Sequence, residues 1–340
     1  MQNILFPKIE VRRTKPVNLR QEDNAFFEKE YSRQFEVVNL HYFSKAMIFE
    51  NGMIFHKWKI VSESLPSKDW QNRFQLKFLL RKLISLKKRK APTNKKILIV
   101  TDEWSPFYFH WILDVLPKLY LLKDQLEEYI LLLPQTCRLK YHSESLRFFD
   151  KLEIAYLDTR SITFAENVFL PDHIAPTGNY NPEVVQGLRS LISSKLAGRL
   201  TLNLGAQIYI SRAKAEKRKV SNEAEIVAYL ESIGYKSVCF EDYDFISQIS
   251  IARHASSLVS IHGAGLSNML FMEKGNVLEF RKEGDGHNNC YFALASALNM
   301  RYAYQFCKIT NMDASSGEAD IYVDLEQLKS NLLILSSNVR

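Results

Sequence analysis

The strongest constraint in this sequence is a rhythm, in which short and wholly apolar runs alternate with segments of helix length. Lys96-Ile97-Leu98-Ile99-Val100 is followed by a helix-like Phe107 to Lys123, then by Tyr129-Ile130-Leu131-Leu132-Leu133, stopped at Pro134. A helix around Glu144 to Phe149 and the run Glu153-Ile154-Ala155-Tyr156-Leu157 continue the pattern. A strand that is apolar at every position is buried on both faces, and strand–helix alternation belongs to a doubly wound parallel α/β sheet. The rhythm resumes with strands at Gln207 to Ile210, Ser237 to Phe240 and Leu258 to Ile261, separated by helices at Glu223 to Ser232 and Phe245 to His254. Asn222 is placed to cap the first of these helices, with Glu225 in a capping-box relation, and Gly234 to end it.

Between the two series, Asp172 to Pro182 holds two prolines, a glycine and two asparagines, and a helix-like Glu183 to Lys195 follows. The expected organisation is a Rossmann-like domain over 1–180 and a second over 181–340, facing each other across a cleft. Residues 1–75 have a different texture, with short apolar runs around an Asn51-Gly52 turn, and read as a β-rich lead-in containing a hairpin.

A chain of 340 residues, 46% hydrophobic and 24% charged, has the composition of an ordinary globular protein of about two domains, which excludes disordered and disulfide-scaffold classes. No run approaches the roughly 20 apolar residues of a bilayer span, and Met1 to Pro7 lacks the basic start of a signal peptide, so a cytoplasmic setting is expected. Cys137, Cys239, Cys290 and Cys307 are far apart and read as reduced, mostly buried thiols, with no zinc-site spacing. The net charge of +7 is concentrated in Arg81 to Lys96, which holds eight basic residues and no acid. Such a run suits a solvated loop or an anionic surface, such as the inner membrane face or a lipid-linked glycan. Nucleic acid is disfavoured, because no recognition motif or aromatic-interleaved basic strand accompanies the charge.

Three constellations carry chemistry. His262-Gly263-Ala264-Gly265-Leu266-Ser267-Asn268 follows a strand directly and opens a helix at Met269 to Met272. Glycines at such a turn let the backbone approach a ligand, and a helix start offers N–H groups to a diphosphate. The same spacing also serves helix–strand packing, and His262 fits a core imidazole as well as a pocket residue. The second constellation is Tyr209-Ile210-Ser211-Arg212 with Arg218 and Lys219, where a strand ends in a hydroxyl and a guanidinium able to grip phosphate oxygens. The third runs from Trp104 to Pro117. On a helix, His110 and Asp114 share a face four residues apart, and Asp102 and Glu103 end the strand before them.

Taken in order, Phe109 to Leu119, Tyr209 to Arg212, Arg218 to Glu223, His262 to Met272 and Val277-Leu278-Glu279 resemble glycosyltransferase family 61, over some 200 residues from about Trp104 to Tyr304. The resemblance implies a GT-B architecture and an inverting, nucleotide-sugar-dependent glycosyltransferase of capsular or other surface-polysaccharide biosynthesis. The donor would lie on Ser211, Arg212, Arg218, His262, Gly263, Ala264, Gly265, Leu266, Asn268 and Glu279, the last suited to a ribose diol. Asp114 is expected as general base, with His110 orienting it or the acceptor. A metal-independent reaction without a cofactor is expected, the leaving diphosphate being met by cations and a helix end. Residues 1–95 are left for acceptor specificity. The competing reading is a non-catalytic nucleotide-sugar-binding or scaffold protein of a polysaccharide assembly complex.

Overall fold

The computed structural model describes residues 3–67, 70, 86–92, 95–285, 288–311 and 319–337. It is a mixed α/β structure of two compact units. The first comprises Met1–Ile9 and Gln34–Thr177, the second Glu10–Arg33 and Gly178–Arg340. The chain therefore crosses between units at Thr177 and Gly178, inside the expected linker. The segment Glu10–Arg33 belongs with the second unit and not with the first domain expected over 1–180.

In the first unit the apolar run Lys96–Leu98 is flanked by two parallel neighbours, Tyr129–Leu133 on one side and Ser161–Pro171 on the other. Glu153–Tyr156 lies parallel beyond Tyr129–Leu133. After Lys96–Leu98 the chain thus winds outward in one direction and then returns to the opposite side. Beyond Ser161–Pro171 the sheet turns antiparallel through Val38–Ile48, Ile54–His56 and Lys59–Ile60, which is the expected β-rich lead-in. Gly52 makes the turn at φ +90, where a Cβ would meet Thr101 Oγ1 at 2.9 Å.

The helix expected over 107–123 is present but uneven. Tyr108–His110 and Leu116–Leu121 are α-helical and Trp111–Val115 is a π-helical turn. Pro117 has no N–H to give the Leu113 carbonyl, and a widened turn is one way a helix absorbs such a loss. Trp111 is fully buried and anchors the turn by donating from Nε1 to Ser145 Oγ at 2.8 Å. The helix expected around Glu144 to Phe149 is found earlier, at Lys140–Leu146.

The second unit has five parallel strands in the order Lys236–Val238, Gln207–Ile210, Ser257–Ile261, Asn276–Lys282, Arg301–Ile309, with Ile321–Tyr322 antiparallel at the edge. This is the 2-1-3-4-5 order of a doubly wound sheet. Its interior joins Tyr209, Val259, Leu278, Phe280 and Ala303 from the strands to Ile226, Leu230, Leu328 and Leu332 from the helices Glu223–Ser232 and Leu325–Ser336. Asn222 does not cap the first of those helices. Its amide instead exchanges hydrogen bonds with the backbone of Val323, so its capping oxygen is committed to another part of the unit.

The four cysteines are free. Burial pushes the Cys137 thiol up to about 12, and those of Cys290 and Cys307 upward as well, so these are inert packing groups.

Candidate active site

A doubly wound sheet leaves a crevice beyond the carboxyl ends of the two strands between which the winding reverses. In the second unit those strands are Gln207–Ile210 and Ser257–Ile261. Their next residues are Ser211-Arg212 and His262-Gly263, so two motifs 50 residues apart in sequence meet at one point. Arg212 is half-buried and packs so closely on Gly263 that a Cβ there would come within 2.9 Å of its Nη1. Its Nε and Nη2 donate to the carbonyls of Arg218 and Lys217, both at 3.2 Å. Arg218 takes a left-handed backbone at φ +57, which turns its Nη1 toward the His262 carbonyl at 3.5 Å. Among the described residues, the hydrogen-bond partners of both guanidinium groups are backbone carbonyls. Burial and the nearby Arg218 charge, against the pull of Glu241, hold Arg212 below the usual guanidinium range, which marks a pair of cations brought close together.

The glycine turn itself differs from expectation. A 3-10 helix runs through Ala264–Phe271 where a helix opening at Met269 was anticipated. Gly265 lacks a Cβ to make room for Ile210, whose Cγ2 would lie 3.1 Å away, so its smallness serves packing within the unit. Leu266 and Asn268 are fully buried, and Asn268 donates to the Gly265 carbonyl at 3.0 Å. Ser211 is buried and its Oγ accepts from the Ala213 N–H at 3.1 Å. These three shape the loops, whereas Arg212, Arg218, His262 and Gly263 face one another.

Glu279 occupies a different place from the ribose-facing position expected of it. Its carboxylate is fully buried, held by Nδ1 of His262 and the hydroxyl of Tyr302. The other ring nitrogen, Nε2, meets the Asn288 amide at 2.9 Å. A cavity of about 240 Å³ opens beside the ring, with Arg218, Lys282, Asp285 and Asn288 among its walls.

The first unit has its own reversal of winding, between Lys96–Leu98 and Ser161–Pro171. Beyond these strands stand Asp102 and the pair Asp172-His173, and the helix that follows brings His110, Asp114 and Lys118 on one face. His110 Nδ1 lies 2.8 Å from Asp114 Oδ2, and the imidazole packs on Trp104 with ring centroids 5.1 Å apart. Asp102 spends Oδ1 on the turn it begins, accepting from the N–H groups of Trp104 and Ser105 and from the Ser105 hydroxyl. Glu103 receives the Asn51 amide.

Sequence reasoning missed Lys118 and His173 as members of this cluster. Lys118 is buried at 2% exposure and donates to the Val100 carbonyl at 3.3 Å. Burial pushes its ammonium below the usual lysine range against the pull of Asp102, Asp114 and Asp172. The Lys118 charge, and then burial, hold the His173 imidazole below its ordinary value. Nearby, His41 Nε2 meets Asp172 Oδ1 at 2.6 Å, a hydrogen bond that holds the imidazole above its ordinary value. The signal available in the sequence was the i, i+4, i+8 spacing of His110, Asp114 and Lys118.

Similarity to known proteins agrees with this geometry. The family description Glycosyltransferase 61 matches residues 108–278, from the start of the His110 helix to the strand that carries Glu279. The chain is similar to EGF domain-specific O-linked N-acetylglucosamine transferases. It is 34% identical to the Drosophila melanogaster protein over 97 residues, 28% of this chain and 18% of that one. It is 25% identical to the Bos taurus protein over 172 residues (45% and 32%) and 26% identical to the Gallus gallus protein over 180 residues (47% and 34%). The matched stretches thus span no more than about a third of these relatives. With a family match across half of its length, this chain belongs to glycosyltransferase family 61.

Proposed function

We propose that the chain is an inverting glycosyltransferase that moves a sugar from a nucleoside diphosphate donor to an acceptor hydroxyl, without a metal ion. The observation that carries this reading is the meeting of Arg212, Arg218 and His262 at the reversal point of the second unit. Two cations with only carbonyl partners are what a diphosphate requires, and their fork of donors suits phosphate oxygens. The first unit supplies a histidine–carboxylate pair at its own reversal point. A GT-B enzyme would carry its donor on the second unit and its base on the first.

The hydrogen bond between His110 and Asp114 supports roles within the pair that are the other way round from the first expectation. With Nδ1–H directed at the Asp114 carboxylate, Nε2 is the basic atom of the His110 ring, and Asp114 fixes the tautomer and stabilises the imidazolium that forms. As the acceptor hydroxyl attacks, its proton passes to Nε2. The sugar inverts as the diphosphate departs on the opposite face.

The acceptor favoured by the sequence reading is a surface glycan of capsular type, in a cytoplasmic setting with the basic run toward an anionic membrane. The names of the relatives favour a second reading, in which N-acetylglucosamine passes to a protein hydroxyl. Incubation with a panel of nucleotide sugars that includes N-acetylglucosamine donors, with glycan and protein acceptors, and chromatography of released nucleoside diphosphate, tests both. Turnover should appear with one donor class, survive excess EDTA, and fall by about 10²–10⁴ in Asp114→Asn while nucleotide binding is retained. Loss of turnover on chelation with recovery on added Mg²⁺ removes the metal-independent part, full turnover in Asp114→Asn removes the orienting role of Asp114, and full turnover in His110→Ala removes the base assignment.

A further inference from the structure

His262 is held at both ring nitrogens by groups that the donor reading alone does not explain. On one side stands Glu279, fully buried in the middle of the strand Asn276–Lys282. A buried carboxylate is costly unless its oxygens are satisfied, and both are: Oε1 by His262 Nδ1 and Oε2 by the Tyr302 hydroxyl. Burial and the Glu279 charge push the Tyr302 phenol well up, so it stays a donor to Glu279.

On the other side, Asn288 reaches Nε2 from a loop that is itself clamped. Arg281, two residues beyond Glu279 on the same strand and fully buried, donates to the carbonyls of Asp285 and Asn288 at 2.6 and 3.1 Å and to Asn289 Oδ1 at 2.8 Å. The Tyr291 ring closes the remaining face of the imidazole, with centroids 4.9 Å apart. A solvent-facing surface histidine needs none of this. The arrangement fixes the proton on Nδ1 and turns Nε2 to the cavity side, where Arg218 and Lys282 supply positive charge and Asp285 is the carboxylate among the lining residues.

Resting on the donor reading above, we infer that His262 is the proton donor to the leaving diphosphate, and that buried Glu279, braced by Tyr302, is its positioning residue. Before donor binds, Nε2 accepts from the Asn288 amide. Arrival of the diphosphate draws a proton onto Nε2, and the imidazolium is shared between Glu279 and a phosphate oxygen. In transfer, the bond between the anomeric carbon and the diphosphate oxygen breaks, its electron pair goes to that oxygen, and the Nε2 proton moves onto it. The acceptor oxygen forms the new bond to carbon and gives its proton to the general base of the reaction. The ring of His262 is left neutral with its Nδ1–H on Glu279.

The test is calorimetric titration of the full chain at pH 8 with UDP, GDP, ADP and CDP, and with inorganic pyrophosphate. It is run in two buffers of different ionisation enthalpy, which together report protons taken up on binding. Wild type should take up as much as about one proton per diphosphate bound. His262→Gln and Glu279→Gln, shown folded by circular dichroism, should lose that uptake and bind roughly tenfold more weakly. Tyr302→Phe gives a milder variant of the same kind should Glu279→Gln fail to fold. Nitrogen-15 NMR of the ring should show an Nδ1–H tautomer in wild type and a mixture in Glu279→Gln. Binding without proton uptake, or uptake unchanged in the folded variants, overturns the inference while leaving the donor site standing. No binding of any of these probes by wild type overturns the donor site itself.

Discussion

At the residue scale, His110 and His262 are each held at Nδ1 by a carboxylate, and the depth of that carboxylate separates them. Asp114 retains 13% side-chain exposure and sits four residues along the same helix, so the pairing was legible from spacing alone. Glu279 is fully buried, and nothing in the sequence distinguishes a strand-borne carboxylate that faces a ligand from one that faces its neighbours. Burial at each position depends on what packs over the strand, which is tertiary information. The two glycines of the donor loop separate in the same way. A Cβ on Gly263 meets the far end of Arg212, a flexible group, whereas on Gly265 it meets the buried Ile210. Gly263→Ala should therefore weaken nucleoside diphosphate binding with little change in melting temperature. Gly265→Val should overpack the turn at a cost of about 1–3 kcal/mol, lowering the melting temperature by several degrees. Thermal melts with and without nucleotide check both, and the opposite pattern would exchange their roles.

Among the elements, the strands at Lys96–Leu98, Tyr129–Leu133, Gln207–Ile210 and Ser257–Ile261 were legible because each apolar run is continuous, whereas Ser161–Pro171, Arg301–Ile309 and the helices Cys290–Ala297 and Leu325–Ser336 were not read. Strand order was not, since it is decided by which strand the chain returns to after Glu153–Tyr156 and after Lys236–Val238. That order brings Arg212 beside His262, and Asp102 toward His173, whose Nε2 lies 3.7 Å from Asp102 Oδ2. The helix Lys140–Leu146 shows a local effect of burial on charge. His142 is fully buried, its Nδ1 accepts from the Leu139 N–H at 3.1 Å, and burial holds its imidazole down at about 4. A histidine with a depressed folded value contributes stability that is full above its unfolded value, about 6.5, and is lost as pH falls toward 4, because the unfolded chain binds a proton the folded one refuses. The melting temperature of wild type should drop more steeply between pH 6.5 and 4 than that of His142→Gln. Parallel curves would show that the histidine takes up its proton without penalty.

For the whole molecule, the α/β class was readable from the rhythm of apolar runs, but the allegiance of Glu10–Arg33 was not. This segment joins the second unit through Asn18, which bonds the Tyr304 backbone and Asn331, and through Phe27, which packs on Phe292 and Tyr304. Such contacts span more than 260 residues of sequence, beyond the reach of local pattern. The basic run is likewise altered by its surroundings. Lys87–Lys90 is an exposed strand paired with Ser161–Phe164, not a loop, and Arg89, Lys95 and Lys96 are engaged by Asp158, Glu153 and Glu128; residues 81–85 and 93–94 of the run lie outside the described residues. Among the described residues no helix is long and apolar enough to cross a membrane. A peripheral contact through this strand should appear as flotation with vesicles containing anionic lipid that salt abolishes, and equal behaviour with neutral vesicles would reduce it to a solvated edge. The central claim, a diphosphate-binding site at the reversal point of the second unit, is tested most directly by equilibrium dialysis of the four nucleoside diphosphates against wild type and Arg212→Ala. At least one should bind wild type, and Arg212→Ala should bind it about 10- to 100-fold more weakly; equal affinity in the folded variant, or no binding to wild type, would contradict it.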